Sequence, residues 1–143
     1  MASTLLDTKH ETFEAVLGVA PNLIETAILN QQTAGESSLD EVLAKLADLF
    51  GVKKRDALTI LGISRSRKSK NPTMNVVLLD RTYSALEVFS RITRILGREA
   101  AKQWIRTPKE ALDGATPLAM LETRVGLRKL QDMLTALEDG AYL

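Results

Sequence analysis

Apolar residues recur every three to four positions through most of this chain, which is the spacing of amphipathic α-helices. The clearest example lies between Ser38 and Gly51. Ser38 and Glu41 have the spacing of an N-terminal capping box, and a glycine commonly follows the last turn of a helix. Between them the apolar stripe consists of Leu39, Val42, Leu43, Leu46, Leu49 and Phe50. We therefore predict a helix that begins after Ser38 and closes at Gly51.

The stretch before Ser38 contains two apolar clusters on either side of Pro21-Asn22. The first is formed by Phe13, Val16 and Leu17, and the second by Leu23, Ile24, Ala27 and Ile28. This pattern predicts two short helices that pack together, and the alternative is an arm used for dimerisation.

The spacing of apolar residues in the segment 52–61 predicts a further short helix. Residues 76–79 are an apolar run that could be a short strand or the lead-in to the next helix, and we favour the lead-in. From Asp80 to Gly97 the spacing indicates a long helix with one apolar face, formed by Tyr83, Leu86, Phe89, Ile92 and Ile95. Tyr83 and Phe89 are expected in the core.

Two Thr-Pro pairs, Thr107-Pro108 and Thr116-Pro117, flank an Asp-Gly turn near the C-terminal end. Threonine is a good N-cap and proline fits the first helical turn, so we expect each pair to open a short helix. Gly114 is placed to end the first of these helices. Trp104, just ahead of the pairs, is expected to be a core residue.

Thr123 is placed to cap the last helix, and Gly140 lies just past its end. Leucines repeat along this helix in a seam that could face the core or a partner helix: Leu127, Leu130, Leu134 and Leu137.

Charge is unevenly distributed although the net charge is only +1. Residues 52–70 carry seven basic and one acidic side chain. A short helix, a turn containing Gly62 and a second helix capped by Ser64 have the order of a helix-turn-helix. The candidate DNA-contacting residues follow this turn: Ser64, Arg65, Ser66, Arg67, Lys68 and Lys70. The alternative is that these basic side chains only form a solvent-exposed surface and do not contact DNA.

The residue types needed for catalysis are scarce. The chain has no cysteine and one histidine, His10, and no carboxylates stand at metal-ligand spacing. We therefore expect no enzymatic activity, no metal site and no cofactor.

No apolar run reaches the roughly 20 residues that span a bilayer, and the N-terminal segment lacks a signal-peptide pattern, so the expectation is a cytoplasmic protein.

The C-terminal third contains a series of spaced motifs: Glu99-Ala100-Ala101-Lys102-Gln103-Trp104, Thr107-Pro108, Leu112-Asp113-Gly114, Thr116-Pro117-Leu118, Gly126 and Asp139-Gly140-Ala141-Tyr142. In these motifs it resembles the toxin-binding domain of Xre/ParS/MbcA-type antitoxins, the partners of RES-domain toxins. Asp113 stands where this family commonly has glycine. Residues 47–64 and Asp80-Arg81 are more weakly similar to the Xre-type DNA-binding half.

The resemblance implies an all-α protein with an N-terminal helical arm (residues 1–36), an Xre-like helix-turn-helix lobe (37–97) and a toxin-binding lobe (98–143). It implies neutralisation of a RES-domain toxin that degrades NAD or transfers ADP-ribose, by occlusion of the toxin's active site. The residues expected to reach that site are Gly140, Ala141, Tyr142 and Leu143, with the terminal carboxylate engaging an arginine there.

The same resemblance implies repression of the protein's own operon through DNA binding. Because an operator with two half-sites needs paired recognition helices, a homodimer is expected, and a higher-order complex with the toxin. The alternatives are a stand-alone transcription regulator without a toxin partner, and an antitoxin that has lost DNA binding.

Overall fold

The computed structural model describes residues 2–31, 38–63 and 74–140. Within these ranges the chain folds into helices, and the prediction of an all-α fold is confirmed. In chain order they are α1 (Ala2–Leu17), α2 (Pro21–Leu29), α3 (Leu39–Phe50), α4 (Lys54–Ile60), α5 (Val76–Leu96), α6 (Arg98–Arg106), a 3-10 helix (Glu110–Leu112), α7 (Pro117–Met120) and α8 (Arg124–Glu138).

Helix α5 is the centre of the packing, because it contacts α1, α2, α4, α6 and α8. Phe89 on α5 stacks on Phe50 of α3 with ring centroids 4.4 Å apart. Near the other end of α5, Tyr83 meets Phe13 of α1 edge to face at 5.0 Å. The buried side chains form a single cluster that runs from α1 to α8. The N-terminal and C-terminal helices therefore share one hydrophobic core.

Side-chain caps fix several helix starts where the sequence predicts them. The Ser38 hydroxyl accepts a hydrogen bond from the Glu41 amide at 3.2 Å, and Gly51 ends α3 with φ of +70°. Thr123 Oγ1 accepts from the Gly126 amide at 3.0 Å at the start of α8. These local patterns were sufficient to place α3 and α8.

The apolar run at residues 76–79 is the first turn of α5, as predicted. Asn75 caps that turn, with its side-chain oxygen accepting from the Leu78 amide at 2.9 Å. The helix then buries Leu79, Leu86, Phe89 and Ile92 together with small residues such as Ala85. Because helices pack on several sides of α5, its buried surface is wider than one stripe.

The predicted burial of two apolar residues is wrong. Leu23 on α2 is 53% exposed and Ile95 near the end of α5 is 39% exposed. Ile24 and Ala27 of α2 are buried and Ile28 is partly buried, so the apolar stripe of α2 is narrower than the sequence pattern indicated. Helix α1 is also longer than expected.

The first Thr-Pro pair does not open a helix, so that prediction is wrong. Thr107 caps the end of α6 in an extended conformation, because Pro108 disfavours the helical conformation of the residue before it. The Thr107 hydroxyl donates to the Gln103 carbonyl at 2.6 Å. The 3-10 helix begins only at Glu110. The second pair behaves as predicted, since Thr116 Oγ1 accepts from the Ala119 amide at 3.1 Å.

The loop between the two pairs closes on itself. The Lys109 amide donates to the Ala115 carbonyl at 3.0 Å, and the Gly114 amide donates to the Lys109 carbonyl at 2.9 Å. Asp113 and Gly114 both have positive φ, +55° and +87°. An aspartate tolerates this left-handed conformation better than most residues, although glycine suits it best.

Within the described ranges, no single helix has both the length and the apolarity to cross a membrane. Two consecutive helical segments, Thr8–Leu17 and Pro21–Leu29, are long and apolar enough only when they are taken together, and their axes differ by 63°.

Candidate functional site

The described part of the predicted helix-turn-helix consists of α4 and the turn after it. Gly62 has φ of +68°, and the amides of Gly62 and Ile63 donate back to Thr59 and Leu58 at 2.9 Å each. Arg81 of α5 lies against this turn, because a Cβ on Gly62 would be 3.0 Å from its guanidinium carbon. Arg81 also donates to the Glu122 carbonyl at 3.0 Å. This arginine therefore links the turn to the segment before α8.

The predicted DNA-contacting residues lie outside the described part of the chain: Ser64, Arg65, Ser66, Arg67, Lys68 and Lys70. DNA binding stays a prediction.

Among the predicted toxin-contacting residues, Gly140 is described. It follows α8, is exposed and has φ of +105°, in keeping with its predicted place at the helix end. Ala141, Tyr142 and Leu143 lie outside the described residues. The described chain thus ends one residue after Asp139, which caps α8.

An ion-pair cluster holds that last turn against α5. Glu138 Oε1 lies 2.5 Å from Arg91, and its Oε2 lies 3.1 Å from Arg91 Nε and 3.2 Å from Arg94. Arg91 also donates to Thr135 Oγ1 at 3.1 Å. Paired hydrogen bonds from one guanidinium to one carboxylate fix orientation as well as distance. The two arginines thus fix the end of α8, two residues before Gly140.

The hydrogen bonds from Arg91, followed by the charges of both arginines, hold the pKa of Glu138 below its ordinary value of 4.5. A carboxylate with a lowered folded-state pKa stabilises the fold above that ordinary value, and the stabilisation is lost as the pH falls through the lower one. Glu138→Gln is therefore expected to lower the free energy of unfolding at pH 7, and the difference from the parent should shrink below pH 4.5. Because these groups are partly exposed, we expect roughly 1 kcal/mol.

Urea unfolding at several pH values between neutrality and strong acid measures this difference. Glu122→Gln is the matched control, since the Glu122 side chain is exposed and makes no ion pair with the described residues. A Glu138→Gln difference that stays constant with pH would contradict the ion-pair explanation.

A groove of about 870 Å³ opens on the other side of α8. Its apolar lining comes from α6, the 3-10 helix, α7 and α8: Trp104, Ala111, Leu112, Met120, Met133, Ala136 and Leu137. Its charged lining consists of Lys109, Glu110, Asp113, Lys129 and Asp132. Sequence analysis did not predict this groove, because it forms only when four separate segments meet.

Trp104 is 5% exposed, which confirms the prediction that it is a core residue. It also lines the groove, and Lys109 Nζ lies 5.0 Å from the centroid of its ring. Burial lowers the pKa of the Lys109 amine. The indole Nε1 is buried and has no hydrogen-bond partner among the described residues. A buried donor of this kind is uncommon in folded proteins.

The described chain is thus an all-α protein whose last helix borders a groove on one side and an ion-pair cluster on the other. Residues 84–140 match the model of the antitoxin Xre/MbcA/ParS C-terminal toxin-binding domain. The chain thus carries an Xre/MbcA/ParS-type antitoxin domain, as its sequence motifs implied. The match begins inside α5 and includes the groove and the ion-pair cluster around Glu138.

A curated relative from Pseudomonas putida (strain KT2440), named Antitoxin Xre, is 28% identical to this chain over 88 residues. The aligned part is 61% of this chain and 55% of the relative. The chain therefore spans about half the length of that relative. The limits drawn at residues 36/37 and 97/98 stay predictions.

Proposed function

We propose that this protein is the antitoxin of a type II toxin-antitoxin system and neutralises a RES-domain toxin that uses NAD. Neutralisation is by direct occlusion of the toxin's active site, in which the residues after α8 take part. The observation that carries this proposal is the match of residues 84–140 to a toxin-binding domain. The protein acts by stoichiometric binding in the cytoplasm and needs neither catalysis nor a cofactor.

The structure supports a role for the residues that follow α8. Two arginines on the central helix hold Glu138 through three hydrogen bonds, so the point from which residues 140–143 extend is fixed relative to the core. An inhibitory segment that leaves from a fixed point loses less conformational freedom on binding than one that leaves from a frayed helix.

The second part of the proposal is repression of the protein's own operon by a homodimer, alone or in a higher-order complex with the toxin. Helix α4, the Gly62 turn and the basic residues of the segment 52–70 support it. Arg65 and Arg67 are expected to contact phosphates, so neutralising both should weaken operator binding and reduce its dependence on salt.

Co-expression with the RES-type protein encoded beside this gene tests the inhibitory role of the tail. The intact chain is expected to restore host growth and intracellular NAD, and truncation after Asp139 is expected to abolish the rescue. The reason is that truncation removes Gly140, Ala141, Tyr142 and Leu143 and leaves the Glu138 cluster in place. Circular dichroism of the truncated chain should match that of the intact chain.

Tyr142→Ala against Tyr142→Phe separates the contribution of the ring from that of the hydroxyl. If the truncated chain rescues growth as well as the intact chain does, inhibition depends on the body of the domain and the tail mechanism is wrong. If the intact chain neither binds nor rescues, the toxin assignment fails and a stand-alone regulator becomes the better explanation.

A further inference from the structure

The turn after α4 has a defined main-chain geometry. The Ile63 amide donates to the Leu58 carbonyl across six residues. Inside this bond, the Gly62 amide donates to the Thr59 carbonyl, and Gly62 has φ of +68°. This is the Schellman motif, in which glycine is the preferred residue. Because α4 has seven residues and is too short to be stable alone, the geometry of the turn depends on what packs against it.

Arg81 of α5 lies on this turn with the face of its guanidinium. A Cβ on Gly62 would be 3.0 Å from Cζ, 3.0 Å from Nη1 and 3.2 Å from Nη2 of Arg81. Since the central carbon is as near as the two nitrogens, the flat face of the group is turned towards the glycine. Any side chain at position 62 would press on this guanidinium. Gly62 therefore provides the space for Arg81 as well as the positive φ.

The C-terminal domain holds the same guanidinium by its edge. Arg81 Nη1 donates to the Glu122 carbonyl at 3.0 Å. Glu122 directly precedes Thr123, whose side chain caps α8, and lies inside the matched residues 84–140. An arginine can use its planar face and its N–H edge at the same time, which a lysine cannot do. The main chain of the C-terminal domain thus fixes the group that supports the turn.

Apolar contacts join the same elements. Helix α4 contacts both α5 and α7, and Ile60 in its last turn is 1% exposed. Together with Arg81, the side chains of Ile60, Leu121 and Leu127 line a small cavity of about 70 Å³. The turn after α4 and the start of α8 are therefore packed together, although they lie on opposite sides of the limit predicted at residues 97/98.

We propose that Arg81 is a positioning residue for operator binding. It keeps the Gly62 turn in the geometry from which the helix-turn-helix recognises specific bases, and it does not itself contact DNA. Two contacts within the protein fix this half-buried side chain, which suits support of the turn better than a phosphate contact. The inference rests on the DNA-binding part of the proposed function and makes the C-terminal domain the support of the DNA-binding turn.

Binding of the full chain to two DNA duplexes, measured by fluorescence anisotropy over a range of KCl concentrations, tests this role. One duplex carries the promoter region of this protein's operon, and the other has the same bases in scrambled order. Arg81→Ala is expected to lower the ratio of the two affinities about tenfold, an effect like that of one mismatched base pair. The slope of log affinity against log salt should equal that of the parent, because no phosphate contact is removed.

Two further variants separate positioning from charge. Arg124→Ala is the matched control, since Arg124 is exposed at the start of α8 and lines the same small cavity. It removes one positive charge there and leaves the bond from Arg81 to Glu122, so the affinity ratio should be that of the parent. Arg81→Lys keeps the charge but lacks the planar group, and it is expected to lower the ratio with an unchanged slope.

Amide hydrogen exchange without DNA measures the turn itself. In Arg81→Ala, the amides of Gly62 and Ile63 are expected to exchange faster than in the parent, while those of α3 keep their rates. A merely stabilising Arg81 would instead give a lower thermal midpoint and faster exchange in every helix, with an unchanged affinity ratio. That result would overturn the inference.

The outcomes separate the role of Arg81 from the proposed function. If the parent prefers its promoter duplex and Arg81→Ala keeps the same preference, the inference is wrong and operator binding stands. If Arg81→Ala weakens both duplexes equally and lowers the salt slope by about 0.9, Arg81 is a phosphate contact and positioning is overturned. If the parent does not distinguish the two duplexes, the DNA-binding part of the proposed function fails together with this inference.

Discussion

Phe89→Ala is expected to lower the free energy of unfolding by about 3–5 kcal/mol, which is the usual range for removing a fully packed phenylalanine. Phe89 is 1% exposed and lies on the helix that contacts most of the others. Its ring stacks on Phe50 at 4.4 Å, with 24° between the ring planes. The cavity would open where α3 meets α5. Urea denaturation followed by circular dichroism at 222 nm measures the loss.

A double-mutant cycle with Phe50→Leu and Phe89→Leu separates the aromatic contact from simple loss of volume. We expect a coupling energy of about 0.5–1.5 kcal/mol for the stacked pair. Leu43→Ala, in the same core on α3, provides a comparison without an aromatic partner. A loss of less than about 1 kcal/mol in Phe89→Ala would fall below the range for core truncations and contradict the central position of α5.

Gly126→Ala is expected to destabilise the protein by about 2–3 kcal/mol, the upper part of the range for overpacked sites. This sign is unusual, because alanine inside a helix is normally more favourable than glycine by about 1 kcal/mol. A Cβ at position 126, however, would lie 2.3 Å from the Met120 carbonyl oxygen and 3.0 Å from Thr123 Oγ1. The first contact is with backbone, which cannot move without displacing α7 from the start of α8. Thermal unfolding of the full chain measures the effect.

The control for Gly126→Ala is the reverse exchange at an exposed position of the same helix. Ala136→Gly should cost about 1 kcal/mol through the ordinary helix preference. The two variants together show glycine favoured at one position of α8 and alanine at the other. Equal or greater stability of Gly126→Ala would show that α7 can move away from α8, contrary to the close contact in the structure.

Features that depend on neighbouring residues could be predicted from the sequence. The side chains of Ser38, Thr116 and Thr123 each accept a hydrogen bond from the amide three positions on, so the identity and spacing of a few residues determine the helix start. Thr107 shows the limit of this reasoning. Thr107 takes the extended conformation that a following proline favours, and that conformation suits a helix end as well as a helix start, so a Thr-Pro pair alone does not decide between the two.

Features that depend on distant parts of the chain could not be predicted. Ile95 fits the apolar stripe of α5 but is partly exposed, since exposure depends on which helices reach that end of α5. The groove is formed by four segments, and the unpaired indole of Trp104 becomes evident only when its surroundings are known. The expectations for residues 64–70 and 141–143 concern parts of the chain outside the described structure. The first depend on the basic cluster and the helix-turn-helix order as well as the family resemblance, and the second depend on the resemblance.

The central position of α5 affects how relatives of this protein can exchange parts in evolution. The antitoxin domain match begins at residue 84, within this helix, while α1 and α2 pack on the same helix. A recombination point inside α5 would join two halves of a helix that were selected against different neighbours. Crossovers before Val76 would keep α5 whole together with the helices that follow it. The matched domain is therefore expected to be inherited together with the whole of α5, including the part that the N-terminal helices cover.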